Sequence, residues 1–142
     1  MYNFLLEKIE APESAYLYIT LSQIPFAGQG LYTLIDIYKE EIIAKYKGRI
    51  LTSDQIKFRV ERGRDQYFIN LPNGSILDSM DHKCFSKYAN DATGKSVSSF
   101  KNNAKITLDD EDHVCLIALR NIKSGEEIFC SYGSSYWKKH GK

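Results

Sequence analysis

Apolar positions along this chain come in short runs, not in a helical stripe. Residues 15–24 are dense in β-branched and aromatic side chains (Tyr16, Tyr18, Ile19, Thr20, Ile24), the composition of a strand. Pro25, Gly28 and Gly30 then break the run. Two further short strands are expected over residues 31–37 and 42–48, joined by the charged turn 36–41. Residues 52–63 open with Thr52-Ser53-Asp54-Gln55, which suits a helix N-cap, and predict a short helix. A strand over 66–71, a turn at Pro72-Asn73-Gly74 and a return strand over 75–77 follow. The pattern then gives a short helix over 81–89 and an exposed loop over 91–102, rich in Ser, Gly, Asn and Lys. Strands at 104–108 and 113–119 flank the acidic turn Asp109-Asp110-Glu111-Asp112, and a last strand covers 127–131. Many short strands with frequent turns predict a mainly β domain with small helices.

The length, 142 residues, is that of one domain. Its core is expected over about 15–137, with a short N-terminal segment and a basic tail, Lys138-Lys139-His140-Gly141-Lys142. A net charge of +1 gives no reason to expect nucleic acid or an anionic membrane as main partner. Cys84, Cys115 and Cys130 form no C-x-x-C pair, so no metal site is expected. Reduced thiols point to an intracellular protein, with Cys115 and Cys130 as small core residues. His82, His113 and His140 are scattered and read as surface residues. Neither a signal peptide nor a membrane-spanning run is visible: Glu7, Lys8 and Glu10 interrupt the start.

Taken one at a time, the candidate functional residues have plain structural readings. Gly28-Gln29-Gly30 is a turn of positive φ, and no phosphate-binding helix follows it. Asn90 is a turn or capping residue, Tyr132 a core aromatic with a bonded hydroxyl, and Trp137 a plug over the core. Order and spacing change that reading. The strand leading into Gly28-Gln29-Gly30-Leu31-Tyr32-Thr33, then Tyr46-Lys47-Gly48, then Ile76-Leu77-Asp78 stand in series. Lys87-Tyr88-Ala89-Asn90-Asp91-Ala92 and Asn103 come next, and Gly125-Glu126-Glu127-Ile128 with Ser131-Tyr132-Gly133 ends the set. This ordered set resembles the SET-domain family of protein lysine methyltransferases over residues 15–137, although no single piece is specific. Two positions depart from the family pattern: Asp91 replaces a His and Lys87 an Arg. The cysteine-rich zinc segments that flank many relatives are absent from this sequence.

The resemblance implies a mainly β fold of the β-clip/SET type, with small curved antiparallel sheets, short helices and a C-terminal pseudoknot. It implies S-adenosyl-L-methionine as cofactor and a protein lysine as acceptor, a histone tail being the family's commonest substrate. Nuclear localisation would follow for a histone substrate and cytoplasmic otherwise. A free lysine ammonium has no lone pair, and neutralising it near pH 7.4 costs about 4 kcal/mol. A narrow apolar channel lowers that cost by penalising the charged form. By family position, Tyr132 is the catalytic tyrosine; Tyr46 lines the lysine channel with it, and Tyr67 is a third wall. Gly28, Gln29 and Gly30 hold the cofactor's amino-acid end through main chain, Asn90 and Asp91 contact its amino group and adenine, and Trp137 stacks on the adenine. Tyr136 and Trp137 are candidates to close the site, and a homodimer is another way to complete it. A SET-like module that binds peptide without catalysis is the alternative, supported by Asp91.

Overall fold

A computed structural model describes residues 7–71, 74–93 and 100–131. Three small sheets are built from strands β1 (Glu7–Lys8), β2 (Leu17–Leu21), β3 (Gln29–Thr33), β4 (Glu41–Lys45), β5 (Arg49–Ile50), β6 (Phe68–Asn70), β7 (Ile76–Asp78), β8 (Ala104–Leu108), β9 (Val114–Ala118) and β10 (Glu127–Ile128). Their orders are β1-β4-β9-β8, β10-β3-β2 and β5-β7-β6. Helices are few among the described residues: α1 (Glu13–Tyr16), α2 (Ser53–Glu61) and a 3₁₀ turn, Ser86–Tyr88.

Every residue of β9 is buried, as expected of a strand that reads as an unbroken apolar run. Leu31, Ile37, Ile43, Leu116, Ile122 and Ile128 have no accessible surface and form the centre of the core. Each such side chain contributes roughly 1.5–3 kcal/mol of transfer free energy. The sheets are tied where Ile37 and Ile122 exchange main-chain hydrogen bonds, 2.7 Å in each direction. Strand pairing is antiparallel throughout the three sheets except between β1 and β4.

Several sequence expectations need correction. The strand expected from residue 15 starts at Leu17, because Glu13–Tyr16 is helical. Pro12 is the N-cap there and Glu13 sits in the first turn; the Tyr16 hydroxyl then anchors the turn by donating to Ile43 O at 2.6 Å. The helix expected over 81–89 shrinks to one 3₁₀ turn. Carbonyls of Ser79, Met80 and His82 converge on Lys87 Nζ at 3.3, 3.2 and 2.8 Å, and this wraps the chain around the ammonium instead of extending a helix. The loop expected to be exposed over 91–102 is buried at its start, at Asp91 and Ala92. His82 is also less exposed than expected, and its Nδ1 is buried with no partner among the described residues, whereas His113 is exposed. His140 lies outside the described residues.

The helix foreseen at residue 52 forms as α2. Thr52 accepts from Gln55 N at 3.2 Å and the Gln55 side chain accepts from Thr52 N at 2.9 Å, a reciprocal capping box. No residue of α2 is buried. The Arg59 guanidinium of α2 pairs with the carboxylate of Asp78 in β7, whose side chain is 1% exposed.

Candidate functional site

The end of the described chain lies between two segments far from it in sequence. Asn90 and Phe129 form a parallel bridge, as do Ala104 and Cys130. Cys130 N donates to Asn90 O at 2.9 Å, while Asn103 N and Ala104 N both donate to Phe129 O at 3.0 Å. Asn103, almost fully buried, fixes this register with its side chain: Nδ2 donates to Glu127 O and Oδ1 accepts from Phe129 N, each at 2.9 Å. A carboxamide suits the task because it is both donor and acceptor. Residues 127–130 are thereby inserted between the two ends of the 91–102 segment.

Asn90 also reaches the glycine turn, its Nδ2 donating to Gln29 O at 2.9 Å. Its remaining polar atom, Oδ1, has no partner among the described residues. The two glycines of the turn serve different ends. Gly28 has φ 77° and open space where a Cβ would stand, so backbone conformation demands it. Gly30 is buried in β3, and a Cβ there would collide with Glu127 Oε2. Phe26, in the loop before Gly28, is fully exposed and also left-handed, with φ 65°.

Asp91 turns its carboxylate toward its own loop. Oδ1 accepts from Thr93 N at 2.9 Å, Thr93 Oγ1 at 2.7 Å and Asn102 Nδ2 at 3.0 Å. Asn102 Oδ1 in turn accepts from Ala92 N at 2.8 Å. The first contact is an Asx turn, which a short carboxylate makes readily. Beneath this segment Ile24, Ala92 and Phe129 form a small apolar cluster joined by Ala27 and Phe100.

Tyr46, buried, follows β4 and points its hydroxyl to Cys130 Sγ at 3.9 Å. Burial pushes the Cys130 thiol up to about 12, against the lowering effect of the Tyr46 hydrogen bond and with a small upward push from Asp91. At neutral pH the floor next to Tyr46 is therefore uncharged. The Tyr67 ring centroid is 5.3 Å from Lys87 Nζ, which is also 5.6 Å from the Tyr88 ring. Burial, then the neighbouring Tyr88, raises the Tyr67 phenol. Tyr132, Tyr136 and Trp137 lie outside the described residues, whose last is Ser131.

So the fold brings Gly28, Gln29, Gly30 and Asn90 to one place, with Asp91 next to them, and sets Tyr46 against Cys130. Sequence reading treated Glu127 as one letter of a motif, yet its side chain is the buried partner of the glycine turn. A Glu in an otherwise apolar strand was the available signal. A cavity of about 900 Å³ lies apart, lined among others by Ile9, Tyr16, Ile19, Lys45, Phe85 and Tyr88, and it shares no residue with the Gly28–Asn90 cluster. Asp109, Glu111 and His113 approach one another closely enough to hold a cation, but Asp109 Oδ1 is already taken by the amides of Glu111 and His113, both at 2.9 Å. No described helix is long and apolar enough to cross a membrane.

Comparison with known proteins gives the family and the fold. The chain matches the SET domain family over residues 28–133. It is similar to histone-lysine N-methyltransferase EZH2 of Chaetomium thermophilum, 28% identical over 126 residues, covering 81% of this chain and 8% of that protein. Similarity to histone-lysine N-methyltransferase SETD7 of Halocynthia roretzi is 27% identity over 131 residues, 84% of this chain and 32% of that protein. Among solved structures, an active polycomb repressive complex 2 in the basal state superposes with TM-score 0.68 at 27% identity, covering 83% of this chain and 15% of that one. An apo ctPRC2 with substitutions in Ezh2 gives 0.69 at 26% identity, covering 87% and 16%. The chain thus spans less than a third of the length of these relatives.

Proposed function

The chain belongs to the SET domain family, and from that premise we propose that it is an S-adenosyl-L-methionine-dependent protein-lysine N-methyltransferase. The observation that carries the reading is the Asn90–Gln29 hydrogen bond. It joins the carboxamide to the glycine turn that opens β3, and the same Asn90 bridges Phe129 in the segment that precedes Tyr132. The residues present suit the cofactor's amino-acid end. Main chain at Gly28 is open, and Asn90 Oδ1, unpartnered among the described residues, is an acceptor for an ammonium.

When bound, S-adenosyl-L-methionine supplies an activated methyl group on a sulfonium, so the protein's part is binding, alignment and exclusion of water. Gly28, Gln29 and Gly30 would hold the cofactor's amino-acid end through main chain, and Asn90 would accept from its amino group. Tyr46 lines the acceptor channel, and the neutral Cys130 thiol beside it adds no charge to stabilise an ammonium there. Such a wall favours the neutral amine that attacks. Tyr132 orients that amine, and alignment at about 3–3.5 Å is where most of the acceleration arises. Trp137 is the residue proposed to stack on the adenine.

The substrate proposed is a histone tail. The names of the relatives in Chaetomium thermophilum and Halocynthia roretzi support it, and a nuclear location would follow. Mass spectrometry of histones and of cell lysate after incubation with labelled methyl donor tests it; incorporation into no protein at all would defeat the enzymatic reading. One observation favours a second reading, a peptide-binding module without catalysis: Asp91, in place of the family's His, spends Oδ1 on Thr93 and Asn102. Calorimetric titration separates the two, since a module of that kind gives no heat with S-adenosyl-L-methionine.

A further inference from the structure

Glu127 lies in β10 with 2% of its surface exposed. Its Oε2 accepts from the Ser22 hydroxyl at 2.6 Å and its Oε1 from Gln23 N at 2.8 Å. The Tyr32 hydroxyl shares its single proton between Leu21 O at 2.7 Å and Glu127 Oε1 at 3.1 Å. Ser22 Oγ also accepts from Ile24 N at 3.1 Å, and Ser22 N donates to Gly28 O at 2.8 Å. The carboxylate thus ties down the start of the 22–28 loop, whose far end is closed by the main-chain bond from Ser22 to Gly28. It also fills the space that a side chain at Gly30 would need.

Every donor that reaches Glu127 is uncharged, and among the described residues no Lys, Arg or His pairs with it. A buried carboxylate without a cation is costly, and a neutral acceptor could make the same hydrogen bonds more cheaply. The negative charge lies against the main chain of the very turn assigned to the methyl donor, whose sulfonium and amino groups are cationic. A low-dielectric surrounding screens such a charge weakly.

We propose that Glu127 is the positioning residue of the 22–30 loop and that its unneutralised carboxylate tunes this loop for a positively charged cofactor. The inference rests on the methyl-donor reading above, but its first test does not. Glu127→Ala is predicted to speed amide hydrogen exchange at Gln23 by about tenfold or more, while the β8 and β9 amides keep their protection. Unchanged exchange at Gln23 would overturn the positioning role.

Glu127→Gln keeps the shape and one acceptor oxygen but removes the charge. Calorimetry with S-adenosylmethionine and with S-adenosylhomocysteine, which is neutral at sulfur, reads the charge. The variant is expected to lose about three- to tenfold more affinity for the sulfonium form than for the neutral one. An equal loss for both would overturn the electrostatic part, leaving a structural carboxylate. If the unmodified protein binds neither compound, the methyl-donor reading falls and the electrostatic part with it, and exchange at Gln23 still decides the positioning role.

Discussion

The Asn90 side-chain amide donates to the main-chain carbonyl of Gln29 at 2.9 Å although the two residues are 61 positions apart in the chain. That contact joins the loop carrying the proposed amino-group acceptor to the turn proposed to hold the cofactor by main chain. Because Asn90 also bridges Phe129, the same residue connects both to the segment preceding Tyr132.

Asn90→Ala should therefore weaken S-adenosylmethionine binding more than it weakens the fold. Loss of the acceptor and of the loop contact is expected to raise the dissociation constant about tenfold or more, with thermal unfolding shifted by only a few degrees. Calorimetry and circular dichroism measure the two effects. Unaltered cofactor affinity would remove Asn90 from the binding site.

Tyr132→Phe should abolish methyl transfer and leave cofactor affinity nearly intact, because the hydroxyl acts on the amine and not on the ground-state cofactor. Single-turnover transfer of a labelled methyl group together with a binding titration makes the comparison. Full activity in this variant would take Tyr132 out of the mechanism.

Arg59→Met removes the partner of the Asp78 carboxylate, which is 1% exposed, and isolates a charge in the interior. A loss of about 3 kcal/mol in urea unfolding is expected. Arg120→Met breaks the exposed pair with Glu126, at 3.1 Å, and should cost under about 1 kcal/mol. Equal effects of the two substitutions would show that α2 is not held by its buried pair.

Stability should fall on the acid side partly through Asp109. Burial pushes its carboxyl upward, but the amides of His113 and Glu111 and the charges of His113 and Lys45 outweigh that and hold it below the usual range. A depressed carboxyl contributes stability above its unfolded value, roughly pH 4, and loses it as pH falls through the lower folded value. Asp109→Asn should accordingly flatten the decline of unfolding free energy below about pH 4. An identical acid limb in protein and variant would assign the decline to other groups.

The sheets were legible where local composition and long-range packing agree. β8 and β9 fall inside the apolar runs expected of them, β3 and β4 overlap theirs but start earlier, at Gln29 and Glu41, and α2 begins where Thr52 caps it. Agreement failed where a distant partner decides the local conformation. The 81–89 segment wraps around the Lys87 ammonium, and the burial of Asp91 depends on Asn102 across its loop. Among the candidate site residues, the approach of the Tyr67 ring to Lys87 Nζ is likewise a long-range contact that local sequence does not encode.

Residue types in order along the chain were enough to determine the family and the mainly β class, because turn glycines, β-branched runs and capping groups act over a few residues. Only the tertiary structure decided that Gln29, Asn90 and Phe129 meet, that Tyr46 faces Cys130, and that a buried carboxylate backs the glycine turn. Those relations depend on the insertion of residues 127–130 between the ends of a loop closed much earlier in the chain. No local preference encodes such a pairing; it follows from how the sheets pack.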